Sequence, residues 1–257
     1  MASLSPICGV RGQLLLCYVR GPEGIIVGLA EQLGQQGGRM RDFDSAWRCA
    51  PPAVRGALSL AYEALAAGGL AVGAVLTDAS GAVVAEGRNE AYEEGPGGGA
   101  GPLRGTPLAH AELNVLGSAR TGWDLGTATL WSTQEPCAMC AAAAKFTGVG
   151  TVRYLAPDPW AVAEDISGTS GARQEGDPVW LLAANVMFLR SVAAAAAGPA
   201  EPRILVRQRA VEPETAALHD AVPAGLPTAG TAVAWLTTLW PDLTAAATAR
   251  SRRLRTA

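Results

Sequence analysis

Two short segments constrain this chain more than any others: Leu108-Ala109-His110-Ala111-Glu112, and Pro136-Cys137-Ala138-Met139-Cys140, whose first cysteine stands 25 residues after Glu112. One imidazole and two thiolates supply three protein ligands for a tetrahedral zinc ion, and a set of three leaves a position for water, as a catalytic site requires. Glu112, two residues beyond His110, is placed to act as base on that water. Any fold of this sequence has to close both segments on one point.

The spacing has a local rationale. A helix over residues 109–120 puts His110 and Glu112 in its first turn, where free backbone N–H groups and the positive end of the helix dipole favour anionic groups. Pro136 suits the first position of a second helix, so that Cys137 and Cys140 share one face at its start. A helix N-terminus lowers a thiol pKa, and a bound metal deprotonates it outright. A Cys-x-x-Cys pair also serves as a redox couple or as half of a structural zinc ribbon. The ribbon needs a fourth ligand, and the only other histidine, His219, lies in a remote tail. Cys8, Cys17 and Cys49 are singly spaced and read as ordinary thiols.

Around these segments the pattern alternates strands and helices. Val54, Leu58, Ala61 and Leu65 recur at helical spacing before Gly68-Gly69. Residues 70–77 and 82–86 are valine-rich and flank Asp78-Ala79-Ser80-Gly81, a hairpin signal. Residues 127–133 and 149–156 read as further strands, with the cysteine helix over 136–147 between them. Asp177-Pro178 caps a helix running to about residue 197, and Arg203-Ile204-Leu205-Val206-Arg207 reads as an edge strand completing the sheet. Such alternation implies parallel pairing with crossover helices, so ligands gather at one end of the sheet.

At His110-Ala111-Glu112 and Thr129-Leu130-Trp131-Ser132-Thr133-Gln134-Glu135-Pro136-Cys137-Ala138-Met139-Cys140 the sequence resembles the cytidine deaminase-like superfamily of zinc hydrolases. It is most similar to the branch that contains tRNA adenosine deaminases and guanine deaminases, over about residues 50–160. The resemblance implies a three-layer α/β/α sandwich with a mixed sheet of about five strands, a zinc cofactor held by His110, Cys137 and Cys140, and hydrolytic deamination with Glu112 as the proton carrier. It also implies that Asn89 holds the bound base or sugar, although an asparagine after a strand is equally at home as a turn residue. Trp160, where relatives line the pocket, either stacks on a heteroaromatic ring or packs in the core. Relatives of this kind are commonly dimers, and a homodimer is expected here.

The domain organisation follows. Residues 1–39 form an unstructured extension outside the family, with Met40 as a candidate natural start; residues 40–207 are the zinc deaminase domain; and 208–257 form an alanine- and proline-rich C-terminal extension. In that tail a helix over 231–240 docks on the core or on another subunit. Residues 93–107, with six glycines and three prolines, make a loop leading onto the His110 helix, either a mobile rim of the pocket or a surface insertion. No long apolar span is evident, which argues against a membrane. Five cysteines, two of them committed to metal, point to the cytoplasm.

Charge helps to choose the substrate. Residues 40–190 carry 10 Lys plus Arg against 16 Asp plus Glu, and Lys145 is the only lysine in the chain. A protein gripping tRNA neutralises several phosphates and shows a basic footprint. An acidic domain suits a small nucleobase or nucleoside better, a purine such as guanine or adenosine foremost, with tRNA as a less favoured partner. A third reading keeps the zinc only as a structural staple of an inactive binding module. Glu112 speaks against it, since such a site has no need of a buried carboxylate beside the metal.

Overall fold

The structure, a computed structural model, describes residues 14–20, 26–32, 42–93, 103–160, 171–174, 176–196, 200–223, 227 and 230–256. The chain divides into two units, Met1–Ala50 and Pro51–Ala257.

In the first unit, β1 (Leu14–Arg20) pairs antiparallel with β2 (Ile26–Gln32), Leu14 standing opposite Gln32. The expectation of an unstructured arm is therefore corrected at these residues. Two seven-residue runs carrying Val19, Ile26 and Val27, with Gly21-Pro22 between them, have the composition of a strand pair. The rest of 1–39, and Met40 as a start, lie outside the described residues. Helix α1 (Phe43–Cys49) is capped by Asp42, whose carboxylate accepts from the Ser45 N–H at 2.8 Å and the Ser45 hydroxyl at 3.0 Å. Cys49, read above as a thiol, is disulfide-bonded, a pairing that single spacing does not announce.

The second unit is built on a five-stranded mixed sheet in the order β4-β3-β5-β6-β7, with β3 (Gly73–Thr77), β4 (Val83–Arg88), β5 (Thr129–Gln134), β6 (Thr151–Ala156) and the short β7 (Arg173–Gln174). β3 is antiparallel to both β4 and β5, while β5, β6 and β7 are parallel, so β3 alone runs against the rest. The helical connections expected between parallel strands hold for β4 to β5 and β5 to β6. The tight Asp78 turn is what reverses β3: the Asp78 carboxylate accepts from the N–H groups of Ser80 and Ala82.

Two glycines show how the layers sit. Gly73 has no room for a Cβ because the backbone of α2 (Pro52–Ala66) passes against it, with the Ala57 carbonyl 2.2 Å from where that atom would lie. Gly87 is blocked in the same way by α3 (Ala111–Ser118), at the Ala111 carbonyl and the Val115 N–H. Gly87 pairs with Ala74, the residue after Gly73, and successive residues of a strand face opposite ways. Helices α2 and α3 therefore cover opposite faces. α5 (Pro178–Ala195) packs with α2, and α4 (Ala138–Phe146) packs with α3, completing three layers.

The core lies in this sandwich. Leu58, Leu65, Leu76, Leu130, Leu182 and Leu189 are fully buried, each adding about 1.5–3 kcal/mol of transfer free energy. α5 is the one described helix long and apolar enough to cross a bilayer, with a mean hydropathy of 1.5. That apolar span, missed in the sequence reading, is committed to the core, where 67% of it is buried.

The predicted edge strand at 203–207 is instead the start of α6 (Arg203–Val211). β7 already occupies the sheet edge beside β6, and Ile204, Leu205 and Gln208 are buried at helical spacing after Pro202. α6, α7 (Pro213–Ala221) and α8 (Ala232–Thr256) belong to the same unit as the sheet, so the expected boundary at 207 falls within a helix. The predicted helix over 231–240 continues through Pro241 to Thr256 and docks on the core, Trp240 meeting Trp180 at 5.5 Å and Trp235 meeting Tyr62 at 6.0 Å.

Candidate active site

His110 and Cys137 hold equivalent positions. Each is the N-cap residue of its helix, with extended backbone at φ −71° and −63°, so both helices begin slightly later than their spacing predicts. Cys140 follows in the third position of α4. The two helix starts are brought together because Gly87 lets α3 settle onto β4 and because α4 lies beside α3 on the same face.

The donor atoms of His110, Cys137 and Cys140 all lie within 4.8 Å of one another. His110 Nδ1 stands 3.5 Å from Cys140 Sγ and 3.7 Å from Cys137 Sγ. A tetrahedral zinc with bonds of about 2.0–2.1 Å to nitrogen and about 2.3 Å to sulfur separates such atoms by about 3.6 Å. The three residues therefore fit the ion and can coordinate zinc. In the protein alone the Cys137 thiol is brought down to about 4, chiefly by the hydrogen bond it receives from Cys140 and then by His110. Cys140 is driven up by that same bond and by burial, and His110 is raised by its bond with Cys137. One thiolate is thus already prepared.

Glu112 is only 3% exposed, in the first turn of α3. Burial raises its carboxyl above the usual range, opposed by Ser132, whose hydroxyl donates to Oε1 at 2.7 Å. Ser132 was quoted in the sequence only as part of a motif. Its role depends on register: opposite Ala74 it faces α3, as Gly87 does. The strand's period of two was the signal available for it.

These groups open onto a cavity of about 610 Å³. Asn89, Glu112, Gln134, Glu135 and Asp158 line it with polar groups, while Leu70, Val72, Phe188, Val192 and Ile204 form an apolar wall. Much of that wall comes from α5 and α6, beyond the region of resemblance, and the sequence reading missed it.

Asn89 is a turn residue that also lines the cavity, its Oδ1 accepting from the Ala91 N–H at 3.1 Å. Trp160 is not a core residue: it is 54% exposed at the cavity, its backbone N–H donating to the Asp158 carboxylate at 2.9 Å. Tyr92, 64% exposed, also lines it. Of the glycine-rich loop, 94–102 lie outside the described residues. Glu93 and Arg104, on either side of them, are joined at 3.1 Å, and Arg88 also pairs with Glu93.

Residues 51–156 match the family model of the cytidine and deoxycytidylate deaminase zinc-binding region. A tRNA(Ile)-lysidine synthase of Deinococcus radiodurans is 38% identical over 112 residues, 42% of this chain and 17% of that protein. A tRNA-specific adenosine deaminase of Haemophilus influenzae is 33% identical over 108 residues, 41% of this chain and 57% of that protein. The chain therefore spans under two thirds of either relative. A solved guanine deaminase from Bacillus subtilis shares 29% identity over 44% of this chain and 67% of its own, with a TM-score of 0.35.

Proposed function

We propose that the chain, whose residues 51–156 match the cytidine and deoxycytidylate deaminase zinc-binding region, is a zinc-dependent hydrolase that removes an exocyclic amine from a nucleobase or nucleoside, a purine such as guanine or adenosine foremost. The observation that carries this reading is the buried Glu112 carboxylate, held by Ser132 in the cavity that His110 and Cys137, two of the three ligand residues, also line.

Zinc, when bound, supplies a Lewis acid that lowers the pKa of a water to about 7. Glu112, with its carboxyl raised by burial, accepts the proton of the attacking water, delivers it to a ring nitrogen, and then protonates the departing amine. Oxygen from water joins the amine-bearing carbon and the C–N bond breaks, so one water is consumed and one ammonia released. Asn89 orients the ring through its side-chain amide, and Trp160 offers an exposed indole for stacking. The apolar wall of Phe188, Val192 and Ile204 keeps bulk water from the reacting atoms.

The relative named as a tRNA-specific adenosine deaminase favours a second reading, adenosine deamination within tRNA. Charge supports the small-molecule reading instead. Besides the acidic balance of residues 40–190, two of the four tail arginines are engaged internally: Arg250 is bidentate to Glu212 at 2.6 and 2.7 Å, and Arg253 pairs with Glu214 at 2.8 and 2.9 Å.

The test is ammonia release by zinc-loaded protein from guanine, adenine, cytosine, their nucleosides and an adenosine-bearing anticodon stem-loop. Turnover of a free base or nucleoside is expected. Turnover of the stem-loop alone would replace this reading by the tRNA one, and none with any substrate would leave the inactive binding module. Glu112→Ala should keep its zinc and lose about 10²–10⁴-fold in rate.

A further inference from the structure

Gln134 ends β5 two residues after Ser132, so its side chain leaves the same face of the sheet as the hydroxyl that holds Glu112. It is 3% exposed and lines the cavity with His110, Glu112 and Asn89. Neither its Oε1 nor its Nε2 has a hydrogen-bond partner among the described residues. Buried amides left in that condition are rare, because the group has given up its water without gaining a partner. The turn at Asn89 shows the ordinary outcome, where the neighbouring backbone satisfies the amide oxygen.

We infer that Gln134 is a specificity-determining residue, whose amide pairs with a donor–acceptor edge of the substrate ring other than the reacting amine. This rests on the deaminase reading of the same cavity. A primary amide presents one acceptor and one donor side by side, the complement of a cyclic amide with N–H next to C=O. The amine to be removed has to sit at Glu112 and the ligand residues, so the edge read by Gln134 lies elsewhere on the ring. Guanine keeps such an edge at N1–H and C6=O when its amine is engaged. Adenosine, with ribose on N9, keeps only acceptors and leaves the Gln134 oxygen unpaired. The site therefore favours an amino-substituted ring that also carries a cyclic amide.

Guanine and 2-aminopurine carry the same amine and differ in that amide, which makes them the probes. Binding is followed on zinc-loaded full-length Glu112→Ala protein by 2-aminopurine fluorescence, with guanine as competitor. Guanine should bind about tenfold or more tightly than 2-aminopurine, the worth of one or two hydrogen bonds. Adding Gln134→Leu should remove that preference with zinc content unchanged. Gln134→Glu, which keeps the size and an acceptor but loses the donor, should also lose it. An undiminished preference in both variants, equal binding of the two probes, or binding of neither would overturn the inference. Wild-type ammonia release separates the two claims. Turnover with a preference indifferent to Gln134 removes only this inference, whereas a Gln134-dependent preference without turnover of any amine removes the deaminase reading and leaves ring recognition.

Discussion

Ser132 and Glu112 come from a strand and a helix 20 residues apart, and the 2.7 Å bond between them aims a buried carboxylate beside the ligand set. A hydrogen bond to a charged group contributes about 1.5–3 kcal/mol, so Ser132→Ala should lower kcat by about 10- to 100-fold with zinc content unchanged. Unaltered kcat would show that α3 alone positions Glu112. The ligand residues act differently: His110→Ala or Cys137→Ala should lose the metal, and normal zinc by elemental analysis would refute the assignment. Chelation gives a third reading at this scale. With its thiol near 4, Cys137 is ionised at pH 6, and zinc-free protein should be alkylated there by iodoacetamide before Cys140, whose thiol is held up by its neighbour. Equal labelling of both cysteines would contradict the pairing described, and restored zinc should protect them.

At the scale of elements, the site depends on how closely helices approach the sheet. A Cβ on Gly87 would lie 2.7 Å from the Ala111 carbonyl, in the turn that presents Glu112. Backbone cannot yield as a flexible side chain does, so Gly87→Ala should cost about 1–3 kcal/mol in urea unfolding and weaken zinc retention. A variant with wild-type stability and zinc would mean that α3 can shift without disturbing the centre. The misread segment at 203–207 belongs to the same scale. Arg-Ile-Leu-Val-Arg suits a strand locally, but the place beside β6 is taken by β7, and as a helix it places Ile204 against the cavity.

Across the whole second unit, the C-terminal helices are fastened to one another by charge. Glu212 and Glu214, at the start of α7, hold Arg250 and Arg253 near the end of α8. Arg253 keeps the Glu214 carboxyl below its ordinary value, so this contribution is present above the usual glutamate range and is lost as pH falls through the lowered pKa. Arg253→Ala should therefore destabilise the protein by about 0.5–1.5 kcal/mol at pH 7. The gap from wild type should close once pH falls below the lowered Glu214 value, where the carboxyl is protonated in both states. A gap that stays constant with pH would assign the effect to packing of the arginine stem instead.

The sequence by itself determined the chemistry: a His-Cys-Cys donor set, an acid two residues from the histidine, and an alternation of strands and helices able to bring them together. Those features are legible because zinc accepts few ligand types and because helical and strand periods are local properties of the chain. Tertiary structure decided the surroundings of the reacting atoms. That Ser132 and Gln134 face the site follows from pairing register, that Gly87 admits α3 follows from a helix crossing, and that α5 and α6 wall the cavity follows from how α5 packs on the sheet and α6 on α5. Each is a relation between segments far apart in the chain, set by packing, and local sequence carries no measure of it.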